Sequence, residues 1–70
     1  MPKFCVNRVA QSNGDHEVHD TTTMRPCHPS AANQIDLGYH DSCHSAVRAA
    51  KAYYSTADGC AHCATACHSR

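Results

Sequence analysis

The sequence predicts a small α+β domain, built from a three-stranded antiparallel sheet with one main α-helix and a cysteine-rich C-terminal turn or short helix. Three observations predict it: an Asn13-Gly14 dipeptide between two strand-like segments, one segment of helical periodicity, and a Cys-x2-Cys motif near the end of the chain. The chain has 70 residues, too few for a second core, so we expect a single domain over 1–70.

The first two strands are predicted at 3–11 and 16–22, on either side of Asn13-Gly14. Asn-Gly is the strongest short-range hairpin signal, because a type I′ turn needs positive φ at both of its central residues. A two-residue turn at this dipeptide would place Val9 opposite Val18 and Arg8 opposite His19, and would bury one face of the hairpin.

Residues 35–39 alternate apolar and polar side chains, which predicts a third strand. Asp41 or Ser42 can cap a helix that runs to about Tyr54. A stripe of small and apolar side chains follows this helix with helical spacing, and we expect it to pack on the sheet. The stripe consists of Cys43, Val47, Ala50 and Tyr54. A turn-forming break over 55–59 follows the helix.

The chain has few large apolar side chains with which to build a core. Alanine and cysteine make up much of its 41% hydrophobic content. A core in so short a chain supplies about 3–5 kcal/mol, so we expect a metal ion or disulfides to stabilise the fold. The six cysteines and seven histidines are the candidates.

The N-terminal residues contain no apolar run of the kind found in signal peptides, and no segment is apolar enough to span a membrane. These features predict a cytoplasmic protein. In a reducing cytoplasm, six cysteines are more naturally metal ligands or free thiols than three disulfides. The even number of cysteines would fit a disulfide framework if the protein were secreted.

The charges give no sign of an anionic partner. Six basic and six acidic residues balance, and neither sign forms a long run. Attraction to nucleic acid or to a membrane surface therefore has no evident basis at neutral pH.

The motif Cys60-x2-Cys63, followed by Cys67 and His68, is the most specific chemical feature of the chain. Four thiol and imidazole ligands within nine residues suit a tetrahedral zinc ion. A more distant ligand would also tie the two ends of the fold together. Cys27 is the candidate, because it lies in a loop stiffened by prolines on either side. We predict zinc bound by Cys27, Cys60 and Cys63, with a fourth ligand from His19, Cys67 or His68.

His16 and His19 cannot both face such a site, because residues three apart on a regular strand point to opposite faces. His19 is nearer to the next cysteine and is the better candidate. A solvated or hydrogen-bonded strand histidine is the alternative for either of them.

Two functions from different classes are compatible with these residues. The leading prediction is a non-enzymatic zinc-binding module, an adaptor or interaction domain with a protein partner that the sequence does not identify. The alternative is a thiol redox or metal-handling protein that uses Cys60 and Cys63, since an intervening His62 can lower the pKa of a thiol. The sequence predicts neither catalytic residues nor an organic cofactor.

Three runs carry a resemblance. Asn13-Gly14-Asp15-His16-Glu17-Val18-His19, Ser42-Cys43-His44 with Ala46-Val47, and Gly59-Cys60-x2-Cys63-x3-Cys67-His68 together resemble a set of small uncharacterised bacterial proteins, which imply no activity. The layout is also similar to the metal-binding module at the start of the Ada DNA-repair protein, in which an upstream cysteine pair and a C-terminal Cys-x2-Cys hold zinc. Here Cys27 alone occupies the upstream zone, so the fourth ligand stays open and DNA repair is not implied.

Overall fold

The computed structural model describes residues 1–69 and confirms the α+β class. It contains four strands and one α-helix, with two short 3-10 turns at Ala31–Asn33 and Thr65–Cys67. In chain order the elements are β1 (Lys3–Asn7), β2 (His16–Asp20), β3 (Gln34–Tyr39), α1 (Cys43–Ala50) and β4 (Ala57–Gly59).

The sheet is mixed and has the order β3-β1-β2-β4, so the prediction of three antiparallel strands is incomplete. The strand β1 is antiparallel to both β2 and β3, while β4 pairs parallel to β2. The strand β4 lies where the sequence predicts only a turn-forming break. Its three residues, Ala-Asp-Gly, have no alternating pattern of apolar and polar side chains. They form a strand because they pair with the edge of β2 that β1 does not occupy.

The predicted hairpin register is wrong. Val18 pairs with Val6 and His19 with Cys5, whereas Val9 lies outside the strands and is 54% exposed. The strand β2 begins at His16 as predicted, but β1 ends early, at Asn7, which leaves the loop 8–15 between them.

The tip of this loop accounts for part of the shift of register, in which Val18 pairs with Val6 instead of Val9. Gly14 has φ 90°, but Asn13 does not have positive φ, so the type I′ turn is not formed. The Gly14 N–H donates to the Gln11 carbonyl at 2.9 Å, and the Gln11 N–H donates to the Asp15 carbonyl at 2.8 Å. A tight turn that ends in one left-handed glycine is the alternative hairpin connection, and it contains an extra residue.

The helix is shorter than predicted, although a hydrogen bond from the Tyr54 N–H to the Ala50 carbonyl, 3.0 Å long, extends the turn to Tyr54. The predicted stripe does pack on the sheet: Ala50 is buried, and its other members contact the core from its border. The buried cluster is made of Phe4, Val6, Val18, Ala46, Ala50 and Ala57. Half of these residues are alanines, so the core is as poor in large side chains as the sequence predicts.

The C-terminal segment is attached both to the sheet and to the helix. The Cys60 N–H donates to the Val18 carbonyl at 2.9 Å, which continues the parallel pairing past β4. A disulfide between Cys43 and Cys67 joins this segment to the start of α1. The Cys-x2-Cys turn is thereby held next to β2.

Candidate metal centre

Four side chains converge on one side of the sheet. One ligand atom from each of His19, Cys27, His28 and Cys63 lies within 4.8 Å of the others. They come from β2, from the proline-containing loop and from the C-terminal turn, which are far apart in sequence. The fold therefore brings together a set of thiols and imidazoles that has the composition of a zinc site.

His19 lies at the centre of this group. Val18 faces the core beneath α1, so the neighbouring His19 points to the opposite face of the sheet, where its side chain is fully buried. Its Nδ1 is 3.5 Å from the Cys63 Sγ. Two ligands of one tetrahedral zinc ion, with bonds of about 2.3 Å to sulfur and about 2.0 Å to nitrogen, are separated by about 3.5 Å. The observed separation therefore suits a shared metal ion.

The other nitrogen of His19 faces a carboxylate. The His19 Nε2 is 3.6 Å from the Glu17 Oε1, too far for a good hydrogen bond. Burial, and secondarily the nearby His28, lower the pKa of His19 to about 4. The imidazole is therefore neutral at pH 7, which is the form that binds a metal.

His28 contributes a second imidazole, whose ring centroid is 5.4 Å from that of His19. The Nε2 atoms of both rings are buried without a hydrogen-bond partner among the described residues. A buried polar atom without a partner is costly and rare in native proteins. The unsatisfied His28 nitrogen is thus a candidate ligand atom, whereas the His19 Nε2 faces Glu17 and the other nitrogen of that ring, Nδ1, faces Cys63.

The thiols of Cys27, Cys60 and Cys63 interact with one another. Burial raises the pKa of Cys63 far above its usual value, and the Cys27 and Cys60 thiols raise it further, although the backbone at Asp20 opposes the shift. The pKa of Cys27 is also raised, mainly by burial. Three thiolates this close repel one another unless a cation lies between them.

Cys60 is fully buried at the start of the C-terminal turn. Its Sγ accepts a hydrogen bond from the His62 N–H at 3.4 Å. Ligand atoms of Cys60, His19 and Glu17 also lie within 4.8 Å of one another. Cys60 therefore lies beside the group of four, and its thiol interacts with those of Cys27 and Cys63.

Two of the predicted ligands are used elsewhere. The Cys67 Sγ is bonded to the Cys43 Sγ at 2.06 Å, so it is not a thiolate ligand while this bond exists. The His68 Nδ1 donates to the Gly59 carbonyl at 3.0 Å and is 3.5 Å from the Asp58 Oδ2. Neither residue belongs to the group around His19, and the preference for metal ligands or free thiols over disulfides is wrong for Cys43 and Cys67.

Sequence reasoning missed His28 and Glu17. His28 directly follows Cys27 between two prolines, and an adjacent Cys-His pair in a stiffened loop is a signal that could have been used. Glu17 precedes His19 by two residues, so the two side chains share one face of β2. The two-residue periodicity of a strand could therefore have predicted that Glu17 lies beside His19.

A cleft of about 450 Å³ lies beside the group and is lined by Arg25, Pro26, Cys27 and His62. Cys27 is only partly buried, so its thiol lies between the interior of the group and this cleft. The cleft would give a metal ion a path to the group, a requirement for any such site.

In comparisons with known proteins, no family model, curated protein or solved structure matches this chain. Among the described residues, no helix has the length and apolarity needed to span a membrane. Both resemblances drawn from the sequence stay predictions. The geometry of the Cys/His group therefore carries the argument for function.

Proposed function

We propose that the protein is a small non-enzymatic zinc-binding module of the cytoplasm, an interaction or adaptor domain whose zinc ion stabilises the fold. The proposed ligands are His19, Cys27, Cys60 and Cys63. The observation that carries the proposal is the 3.5 Å approach of the buried His19 Nδ1 to the Cys63 Sγ, in a group that also contains the Cys27 thiol. Zinc would bind this nitrogen and neutralise the thiolates.

Cys60 is preferred to His28 as the fourth ligand for two reasons. Cys60 and Cys63 form the Cys-x2-Cys spacing that grips one ion, and the Cys60 Sγ already accepts a backbone N–H, as ligating atoms commonly do. His28 is the competing ligand, because its nitrogen lies within the same 4.8 Å group. Cys27 and Cys63 are common to both ligand sets.

The proposed zinc ion would contribute more to stability than the core does. Structural zinc contributes on the order of 10–16 kcal/mol of apparent binding energy in small zinc-finger peptides. It would join β2, the proline loop and the C-terminal turn at one point. Chelation is therefore expected to unfold the protein.

Native mass spectrometry of the reduced chain, with and without a chelator, tests the proposal. We expect one zinc ion to depend on this site, and its removal to abolish the near-ultraviolet circular dichroism. His19→Gln is expected to weaken zinc binding by more than 100-fold. The matched control is His16→Gln on the same strand, because His16 is stacked on Tyr54 and hydrogen-bonded to the Asn7 carbonyl.

Substitution of zinc by cobalt decides the fourth ligand. Thiolate-to-cobalt charge-transfer absorption scales with the number of bound thiolates, so in the chain with the Cys43–Cys67 disulfide intact Cys60→Ser is expected to lower it by about a third, while His28→Gln leaves both the absorption and the cobalt affinity unchanged. Unchanged absorption in Cys60→Ser, together with weaker cobalt binding in His28→Gln, would assign the fourth position to His28. Equal losses of zinc in His16→Gln and His19→Gln would contradict the site itself.

The alternative function, thiol redox chemistry at Cys60 and Cys63, is less well supported by the geometry. Reactive cysteines have a lowered pKa and are accessible. Here the pKa of Cys63 is raised and Cys60 is fully buried. Rapid alkylation of Cys60 or Cys63 in the zinc-loaded protein would favour the redox function.

A further inference from the structure

The disulfide is part of a second cluster of metal-binding side chains. Ligand atoms of Cys43, His44 and Cys67 lie within 4.8 Å of one another. Cys43 and His44 form the first turn of α1, and Cys67 ends the 3-10 turn that packs against it. This cluster shares no residue with the group around His19.

We propose that reduction of the Cys43–Cys67 disulfide creates a second zinc site, formed by the two released thiolates and His44. A dithiol reductant gives two electrons and two protons to the S–S bond and becomes a disulfide itself. The two cysteines are then thiols. Zinc binding displaces their two protons, and His44 contributes a neutral imidazole nitrogen.

The geometry permits this change without a rearrangement of the backbone. Two thiolates on a tetrahedral zinc ion are about 3.8 Å apart. The Cα atoms of Cys43 and Cys67 are 6.1 Å apart, so rotation of the two side chains can bring the released sulfurs to that separation. His44 is exposed, and its ring can turn toward the sulfurs without disturbing the core.

A fourth ligand is close by. His44, Cys67 and His68 line one surface cavity of about 320 Å³. The His68 Nδ1 donates to the Gly59 carbonyl, which leaves Nε2 as the unprotonated nitrogen of a neutral ring. Asp58 lines the same cavity and offsets the positive charge of Lys51 there. We assign the fourth position to His68.

The inference does not rest on the proposed function, since the two sites use different residues and different redox states. It also gives a role to the Cys67-His68 pair, which the first site leaves unused. A reducing compartment would convert a disulfide-stapled chain into one that holds a second ion.

The experiment counts zinc ions by native mass spectrometry in two preparations of the full chain. In one, only the Cys43–Cys67 disulfide is formed, verified by a mass two hydrogens below that of the fully reduced chain. In the other, a phosphine reductant has opened it, because phosphines do not compete for zinc as dithiols do. We expect one zinc ion in the first preparation and two in the second.

His44→Gln is the decisive variant, since it retains both cysteines and alters an exposed side chain. In the reduced state it is expected to lose one of two ions, whereas the control His62→Gln, also exposed, keeps both. His68→Gln is expected to weaken the second ion at least tenfold. A zinc content that does not rise when the wild-type disulfide is reduced, or two ions in reduced His44→Gln, would overturn the inference.

The two proposals fail separately. No ion in the disulfide-bonded chain, together with one ion in the reduced chain that His44→Gln removes, would contradict the first site and support the second. One ion in both redox states that only His19→Gln removes would do the opposite.

Discussion

The two histidines of β2 show how one strand position decides the chemistry of a side chain. His16 stacks on Tyr54 with ring centroids 3.6 Å apart, and its Nδ1 donates to the Asn7 carbonyl. His19 points to the other face, where it is fully buried and its Nδ1 is 3.5 Å from the Cys63 Sγ. The residue type is the same, but of the two only His19 lies beside the thiols.

Glu17 is expected to orient His19 when a metal is bound. Its carboxylate faces the His19 nitrogen on the side away from Cys63, and a carboxylate in this position fixes the ring and makes it a stronger ligand. Glu17→Gln should lower zinc affinity by about 10–100-fold, measured by competition with a chromophoric chelator. The control Asp36→Asn, an exposed acid on β3, should leave the affinity unchanged.

Cys5 makes the stability of the fold sensitive to alkaline pH. Burial raises the pKa of this thiol from 9.0 to about 11. Between these values the unfolded chain has lost the proton and the folded chain has kept it, so the free energy of unfolding falls as pH rises from 9 to 11. The full effect is roughly 3 kcal/mol at 1.36 kcal/mol per unit.

Urea unfolding of the wild-type chain and of Cys5→Ala at a series of pH values measures this effect. The substitution introduces a constant loss from the cavity but removes one titrating thiol. The fall between pH 9 and 11 should therefore be less steep in Cys5→Ala. Parallel curves for the two proteins would mean that the Cys5 thiol does not ionise on unfolding.

At the scale of elements, the hairpin places the site through its register. Because Val6 pairs with Val18, the next position brings Cys5 opposite His19 on the face away from α1. With Val9 opposite Val18, as the sequence predicts, β1 would extend to residues that the structure leaves in an exposed loop. The site therefore depends on the turn before β2, in which Gly14 has positive φ and Asn13 does not.

A matched pair of valine substitutions tests this register. Val18 is fully buried and Val9 is 54% exposed. Val18→Ala should lower the free energy of unfolding by about 2 kcal/mol, from two lost methylene-sized groups and the cavity they leave. Val9→Ala should change it by less than about 0.5 kcal/mol, as is usual for surface positions. Similar losses in chemical denaturation would support the two-residue turn instead.

The C-terminal segment is held by close packing as well as by covalent bonding. A Cβ built on Gly59 would lie 2.7 Å from the Ala64 carbonyl oxygen and 2.7 Å from the Cys67 backbone carbon. Only glycine allows β4 and the final 3-10 turn to approach this closely. This approach places the Cys-x2-Cys turn beside β2.

At the scale of the whole molecule, the disulfide and the proposed zinc site would together compensate for a small core. The disulfide joins α1 to the C-terminal segment, and the Cys/His group joins that segment to β2 and to the proline loop. The two connections meet different parts of the fold. Stability is thus expected to depend on both redox state and metal content.

The contribution of the disulfide can be isolated in the double variant Cys43→Ser/Cys67→Ser. The bond spans 24 residues, and closing a loop of that size constrains the unfolded chain by about 3 kcal/mol. The variant should lose about this much in the free energy of unfolding, measured with one equivalent of zinc and no reductant. Adding a reductant should not destabilise it further, whereas it should destabilise the wild-type chain.

The α+β class, the helix with its stripe against the sheet, and the scarcity of large core side chains could be predicted from the sequence. These properties depend on composition and on periodicities that extend over a few neighbouring residues. The proposed ligands Cys27, Cys60, Cys63 and His19 were predicted from residue type and short spacings, and their binding of zinc stays a prediction.

The tertiary structure alone decided the strand register, the fourth strand, the pairing of Cys43 with Cys67 and the place of His28 beside His19. Each of these depends on which distant segments meet. The pairing of short strands is set by the packing of the whole chain and not by local preference. The sequence around each of the six cysteines does not show whether its thiol forms a disulfide or can bind a metal ion. Only the positions of the thiols in the folded chain distinguish these two roles.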